Sequence, residues 1–185
     1  MKLHPLQDEI LDDFTIDFSY EFSDVTSRAH FLSYATSKHN NELAIGQKRG
    51  MLADQHIYDA ALFPLDIETA HSVTIVRVND EISIYADGEL LETSIMTDTI
   101  GTGGVWIIGQ EQDGINGQNT EEEWFEAQER FIGKICDFQM WNYGLDEESL
   151  EILFLNDGSM ETGNVFDSPP SYTFEKINGA ISYGI

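Results

Sequence analysis

The chain has 185 residues, 41% of them hydrophobic, and a formal charge of −25 from 34 acidic against 9 basic side chains. That length fits a single domain, residues 1–185, with a sizeable core, and the charge repels phosphate backbones and anionic membrane surfaces, which argues against a nucleic-acid partner. No stretch has the apolar length of a membrane-inserting helix, MKLHPLQDEI lacks the apolar segment of a signal peptide, and the lone Cys136 leaves no internal disulfide.

In chain order, Phe14, Ile16, Phe18, Tyr20 and Phe22 alternate with polar residues and place five apolar side chains on one face of a strand. Residues 31–36 and 42–46 suit further strands. Thr74, Val76 and Val78 then meet Ile82 and Ile84 across Asn79-Asp80, and Asp87-Gly88 turns the chain again before Leu90, so this region reads as an antiparallel meander. Strands are also expected over 105–109, 131–141 and 172–182. One helix is expected near residues 146–155: Asp146 can cap it, Glu147 and Glu148 suit the positive end of its dipole, and Leu150, Leu153 and Phe154 form an apolar stripe ending before Gly158. Many strands and one short helix predict an all-β, two-sheet antiparallel jelly-roll sandwich. The Gly-, Asn- and Glu-rich run 114–123 reads as a long exposed loop.

The segment richest in chemistry is Gly109-Gln110-Glu111-Gln112-Asp113-Gly114, followed by Phe125-Glu126-Ala127-Gln128-Glu129. A calcium ion needs about six to eight oxygen ligands, so carboxylates and carbonyls must converge from loops. Glu111 and Asp113 can flank the Gln112 carbonyl on a turning backbone. On spacing alone, a solvated acidic loop and a calcium site both remain open.

Further residues carry a resemblance. Phe31-Leu-Ser-Tyr-Ala-Thr36, Asn40-Asn41-Glu42, Ile108-Gly-Gln-Glu-Gln-Asp113 and Phe131-Ile-Gly133 through Met140-Trp141 occur in an order that resembles the pentraxin family over most of the chain. The resemblance implies a flattened jelly roll and a secreted, innate-immune module. It also implies ring-shaped homo-oligomers, pentamers by resemblance, and calcium-dependent, lectin-like binding of saccharide or phosphorylated surface ligands. Carried over residue by residue, it places Asn40, Asn41, Glu111, the Gln112 carbonyl and Asp113 around a first Ca2+. Glu111 and Asp113 bridge to a second ion completed by Glu126 and Glu129. Paired cations account for the clustering of carboxylates that otherwise repel one another.

Several positions depart from the family pattern. Asn40 stands where Asp is frequent and Glu129 where Gln is frequent, which moves one negative charge toward the second ion and is expected to strengthen that site. Val73 and Asp17 occupy the places of the family's disulfide cysteines, while His71 reads as a packed structural residue. Gly46 lies where phosphocholine-binding members have an apolar aromatic, so phosphocholine specificity is not carried over. The loop between Asp113 and Glu126, ending in Trp124 and Phe125, is longer than usual. Only a short lead precedes the Phe14 strand, which implies a rearranged N-terminus or a portion of a larger protein.

Two other classes share the sandwich. A glycoside hydrolase or lyase needs two carboxylates flanking a bond, typically from one strand in a groove. No Glu-x-Asp-x-x-Glu strand motif, Gly-x-Ser-x-Gly elbow, His-Glu-x-x-His motif or phosphate loop occurs, so no enzyme is expected. A laminin-G-like monomeric adhesion module is the other alternative.

Overall fold

In the computed structural model, the described residues are 10–59, 62–112, 126–155 and 163–164, together with the backbone of 2–3 and 166–167. They form two antiparallel sheets. The first has the order β1-β10-β3-β4-β5-β6: Lys2–Leu3 (β1), Val105–Ile108 (β10), His30–Ala35 (β3), Leu43–Gly46 (β4), Gly50–Leu52 (β5) and Gln55–Tyr58 (β6). The second has the order β12-β11-β2-β7-β8-β9: Phe166–Asp167 (β12), Ile132–Trp141 (β11), Phe14–Asp24 (β2), Ala70–Val78 (β7), Glu81–Ala86 (β8) and Glu89–Ile95 (β9). The expected two-sheet sandwich is therefore present. The short N-terminal lead supplies an edge strand, with Lys2 opposite Ile107 and Leu3 opposite Trp106. The expected strand over 172–182 and the glycine at 158 lie outside the described residues.

Alternation on β2 sends Phe14, Ile16, Phe18, Tyr20 and Phe22 inward, each 0–1% exposed. They meet Phe31 and Leu32 of β3, Leu43 and Ile45 of β4, and Ile75, Ile82 and Ile84 of β7 and β8 in one core. Phe31 is central to an aromatic cluster, with ring centroids 4.7 Å from Tyr20, 5.5 Å from Phe18 and 5.4 Å from Phe63. Tilted and edge-on pairs of this kind suit the ring quadrupoles as well as burying apolar area.

Both hairpin turns expected in the meander occur, with positive φ at Asn79, Asp80, Asp87 and Gly88, as two-residue turns compatible with strand twist require. The helix α1 spans Glu147–Leu155. Asp146 caps it, its Oδ1 accepting from Ser149 N at 2.9 Å. Leu150 packs with Val76, Trp141 and Leu145 on the outer side of the second sheet, against Leu153, Phe154 and Tyr85. Thr15 fixes the approach to this helix: its hydroxyl accepts from Leu145 N at 2.9 Å and donates to Tyr143 O at 3.1 Å. None of the described helices is long and apolar enough to cross a membrane.

The two positions that stand in place of the family's disulfide do not face each other. Val73 is opposite Phe18 in the core, whereas Asp17, one residue out of phase, is opposite Thr74 on the other face. Asp17 accepts a 2.6 Å hydrogen bond from Thr74 Oγ1. Burial nevertheless dominates, and with the nearby Asp137 carboxylate it pushes the Asp17 carboxyl up to about 6. His71 is packed against Tyr20, with ring centroids 5.6 Å apart, and its Nδ1 is 2.7 Å from Asp87 Oδ2.

Candidate metal-binding face

Strand β3 is the spine on which three loop segments are mounted. At its start, His30 N donates to Glu129 O at 2.9 Å, and Phe31 O accepts from Gly109 N at 2.8 Å. In its middle, Ser33 anchors Gln112: Ser33 Oγ accepts from Gln112 N and Ser33 O from Gln112 Nε2, both at 3.3 Å. Gln112 Nε2 also donates to Val105 O at 2.6 Å. Beyond its end, Thr36 N donates to His39 O at 2.9 Å, and Thr36 Oγ1 accepts from Lys38 N and His39 N. The strand thereby fixes residues 36–41, 109–112 and 126–130 relative to one sheet.

Each expected ligand position has a distinct setting. Glu111, Gln112 and Glu129 are buried, Asn41 is half-buried, and Asn40 and Glu126 are exposed. Asp113 lies outside the described residues, as does the loop 114–123 with Trp124 and Phe125. The Gln112 side-chain amide is held inward by Ser33 and Val105, so it is not among the groups offered to solvent. Glu126 and Glu129 are brought together by a one-turn hydrogen bond, Glu129 N to Glu126 O at 3.0 Å, and Gln110 Nε2 reaches Glu126 O at 3.1 Å. Among the described residues, no three His, Cys, Asp or Glu side chains converge closely enough to hold a metal ion.

The Asn41 amide carries a signal of its own. Its Oδ1 is buried and has no hydrogen-bond donor among the described residues, although buried acceptors are almost always satisfied. An oxygen left in this state fits a cation ligand. The backbone around it is rigidly held by Asp54, whose Oδ1 accepts from Asn41 N at 2.9 Å and whose Oδ2 is 2.9 Å from His39 Nδ1. Asp54 N in turn donates to Asn41 O at 2.9 Å, and Ala53 N donates to Glu42 O at 3.1 Å.

Ala53 and Asp54 form the two-residue turn between β5 and β6, with φ of 48° and 61°. A β-carbon disfavours that conformation, and nothing in the surrounding sequence signals it. Glu42 is a second residue that sequence reasoning passed over. It is 3% exposed, and its carboxylate accepts from Thr36 Oγ1 at 2.7 Å and Gly101 N at 2.5 Å. It therefore ties the Asn40-Asn41 turn to the segment entering β10.

A third is Arg28. Its Nη2 contacts Glu126 Oε2, and its Nη1 is 3.2 Å from Glu129 Oε1. Arg28 N also donates to Gln128 O at 3.1 Å, and Thr26 Oγ1 to Arg130 O at 2.8 Å.

Gly46, expected to stand in place of an apolar aromatic, has no room for a side chain. A β-carbon on Gly46 would lie 2.6 Å from His30 Cδ2 and 2.9 Å from Ala29 O. His30 is 2% exposed, and burial, aided by the charge of Arg49, pushes its imidazole down to about 4. Gly46→Ala is expected to destabilise the fold by about 1–3 kcal/mol through overpacking, measured as a lowered urea midpoint at unchanged slope.

The description "Pentaxin family" matches residues 1–180 of this sequence. The chain belongs to the pentraxin family. C-reactive protein of Rattus norvegicus is 26% identical over 153 residues, covering 78% of this chain and 63% of that protein. C-reactive protein of Danio rerio is 32% identical over 69 residues, covering 37% of this chain and 28% of that protein. The chain thus spans less than two thirds of the length of these curated relatives. In fold, this pentraxin is similar to a native heptameric SAP-like pentraxin from Limulus polyphemus, with a TM-score of 0.75, 21% identity, and coverage of 93% of this chain and 83% of that one.

Proposed function

We propose that this chain binds two calcium ions on the face mounted on β3 and uses them to hold saccharide or phosphorylated groups on surfaces. The observation that carries this reading is the buried Oδ1 of Asn41, which has no donor among the described residues, on a turn that Asp54 braces and β3 shares with Glu111 and Gln112. Family membership supports calcium-dependent ligand binding in general. The first ion would be held by Asn40, Asn41, Glu111, the Gln112 carbonyl and Asp113, and the second by Glu111, Asp113, Glu126 and Glu129. Bound calcium supplies a cationic, oxygen-seeking surface with open positions for hydroxyl or phosphoryl oxygens. The protein's own contribution is placement: Gln112 spends its side chain on Ser33 and Val105, which leaves its backbone carbonyl for an ion. Binding, without covalent chemistry on the ligand, is the activity of this face.

The same reading carries assembly into a ring and an extracellular setting. A ring multiplies weak single-site contacts into firm attachment to repetitive surfaces. Calorimetric titration is expected to show two calcium ions per chain. Glu111→Gln, which removes a charge shared by both, is expected to weaken uptake on the order of a hundredfold. A titration with no heat of binding in the unaltered chain removes the proposal. A glycan and phospho-ligand array run with calcium and with chelator identifies the ligand class, and solution mass in both conditions separates a ring from a monomeric module.

A further inference from the structure

Charge on the second half of the face does not sum as the carboxylates alone suggest. Glu129 stands where the family pattern often has a neutral Gln, and it is 3% exposed, a costly place for an unbalanced carboxylate. Arg28 resolves this. It lies on the β2–β3 connection, and its guanidinium touches both Glu126 and Glu129. One cation against two carboxylates leaves a net charge of about −1, the same as one Glu beside one Gln. The negative charge that Glu129 adds to the second site is thus already countered from within the chain.

We propose that Arg28 is a built-in competitor for the second calcium ion. Resting on the calcium reading above, it holds Glu126 and Glu129 when the ion is absent and must release them for the ion to bind. Three features support an exchange of partners over a permanent structural pair. The Arg28 side chain is 43% exposed and that of Glu126 51%, so the guanidinium can swing out into water, while Glu129, at 4%, stays in place. The backbone of the two segments is joined independently of the side chains, through Arg28 N to Gln128 O and His30 N to Glu129 O, so release does not dismantle the local fold. Finally, Arg28 faces one oxygen of each carboxylate, Glu126 Oε2 and Glu129 Oε1, and a divalent ion drawn to the same two groups would meet the guanidinium's like charge at close range. The consequence reverses a simple reading of the sequence: the extra carboxylate does not strengthen the second site, because the ion must displace an arginine to reach it.

The test is calcium titration of the unaltered chain, Arg28→Gln, Arg28→Lys and the pair Arg28→Gln/Glu129→Gln, with thermal melts in chelator and in excess calcium. Arg28→Gln is expected to raise affinity for the weaker ion by about tenfold and leave the tighter ion unchanged. It is also expected to lower the melting temperature in chelator, where Glu129 loses its ion pair with Arg28, but not in excess calcium. Arg28→Lys, a cation without the fork, should fall between the two. Adding Glu129→Gln should restore the melt in chelator. Unchanged calcium constants in Arg28→Gln, with both ions still bound, overturn the competition while leaving the calcium reading intact. Failure of every variant to bind calcium overturns both, and uptake of a second ion only when Arg28 is removed confirms the competition in its strongest form.

Discussion

Asp17→Asn is expected to raise the stability of the fold at pH 7 by an amount on the order of 2 kcal/mol, read as a shift of the urea midpoint at constant slope. In the folded chain the Asp17 carboxyl titrates at about 6, against 3.8 unfolded, because burial outweighs the Thr74 hydrogen bond. Below pH 4 the group is neutral in both states and the substitution changes little. Between pH 4 and 6 the unfolded chain ionises first, which draws the equilibrium toward unfolding. Above pH 6 the cost is constant, and this is what asparagine removes while keeping an oxygen for Thr74.

His30 runs in the opposite sense over nearly the same interval. Its folded value of about 4 lies below the usual 6.5, so its contribution to stability is present above pH 6.5 and is lost as the pH falls toward 4. The two slopes offset each other in the unaltered chain. In Asp17→Asn the His30 slope stands uncovered, and the variant's advantage is expected to shrink steadily from pH 6 to pH 4. An advantage independent of pH would show that the gain has another origin.

The second large effect is expected at Asp54, which makes no contact with an ion in the ligand set proposed above. Its carboxylate holds Asn41 N and His39 Nδ1, each at 2.9 Å, and so fixes the turn that aims the Asn41 amide. Outer residues that orient a metal ligand typically contribute about 10–100-fold in affinity. Asp54→Ala should therefore weaken the first calcium ion by that range and spare the second, whose ligands Glu111, Asp113, Glu126 and Glu129 do not include Asn41. Ala53→Gly provides the contrast, since glycine relieves the positive φ of 48° without touching the carboxylate. It should retain calcium affinity. Calcium constants that fall equally in both variants would point to general loosening of the turn and away from the Asp54 contacts.

What was legible in the sequence follows the range of the physics involved. Alternation from Phe14 to Phe22, the Asn79-Asp80 and Asp87-Gly88 turns and the Asp146 cap are local rules, and each appears where the pattern put it. The hairpin of β5 and β6 was missed because its turn is Ala53-Asp54, which lacks the glycine or asparagine that ordinarily announces left-handed backbone. Glu42 and Arg28 were missed for another reason. Their partners, Gly101 for one and Glu126 and Glu129 for the other, lie 59 or more residues away, beyond any local pattern. The expected ligand set rested on resemblance, and no spacing rule could have joined Asn41 to Glu111. His30 drew no reading from the sequence, because what buries it is distant from any local pattern: the absent side chain of Gly46 makes the space it fills.

The way residues 126–130 are held has a consequence for insertion tolerance. They are fastened by backbone bonds to residues 28–30 and by Phe131 N to Gly109 O at 2.9 Å, while Gln112 is fastened to Ser33. Both rims of the intervening stretch are therefore fixed by the sheet, whatever number of residues joins them. Closing a longer connection costs only about 0.6 kcal/mol per doubling of its length. Lineages, and engineers, can lengthen or rewrite the chain between Asp113 and Glu126 and so vary what surrounds a bound ligand, with little disturbance of the carboxylates at its border.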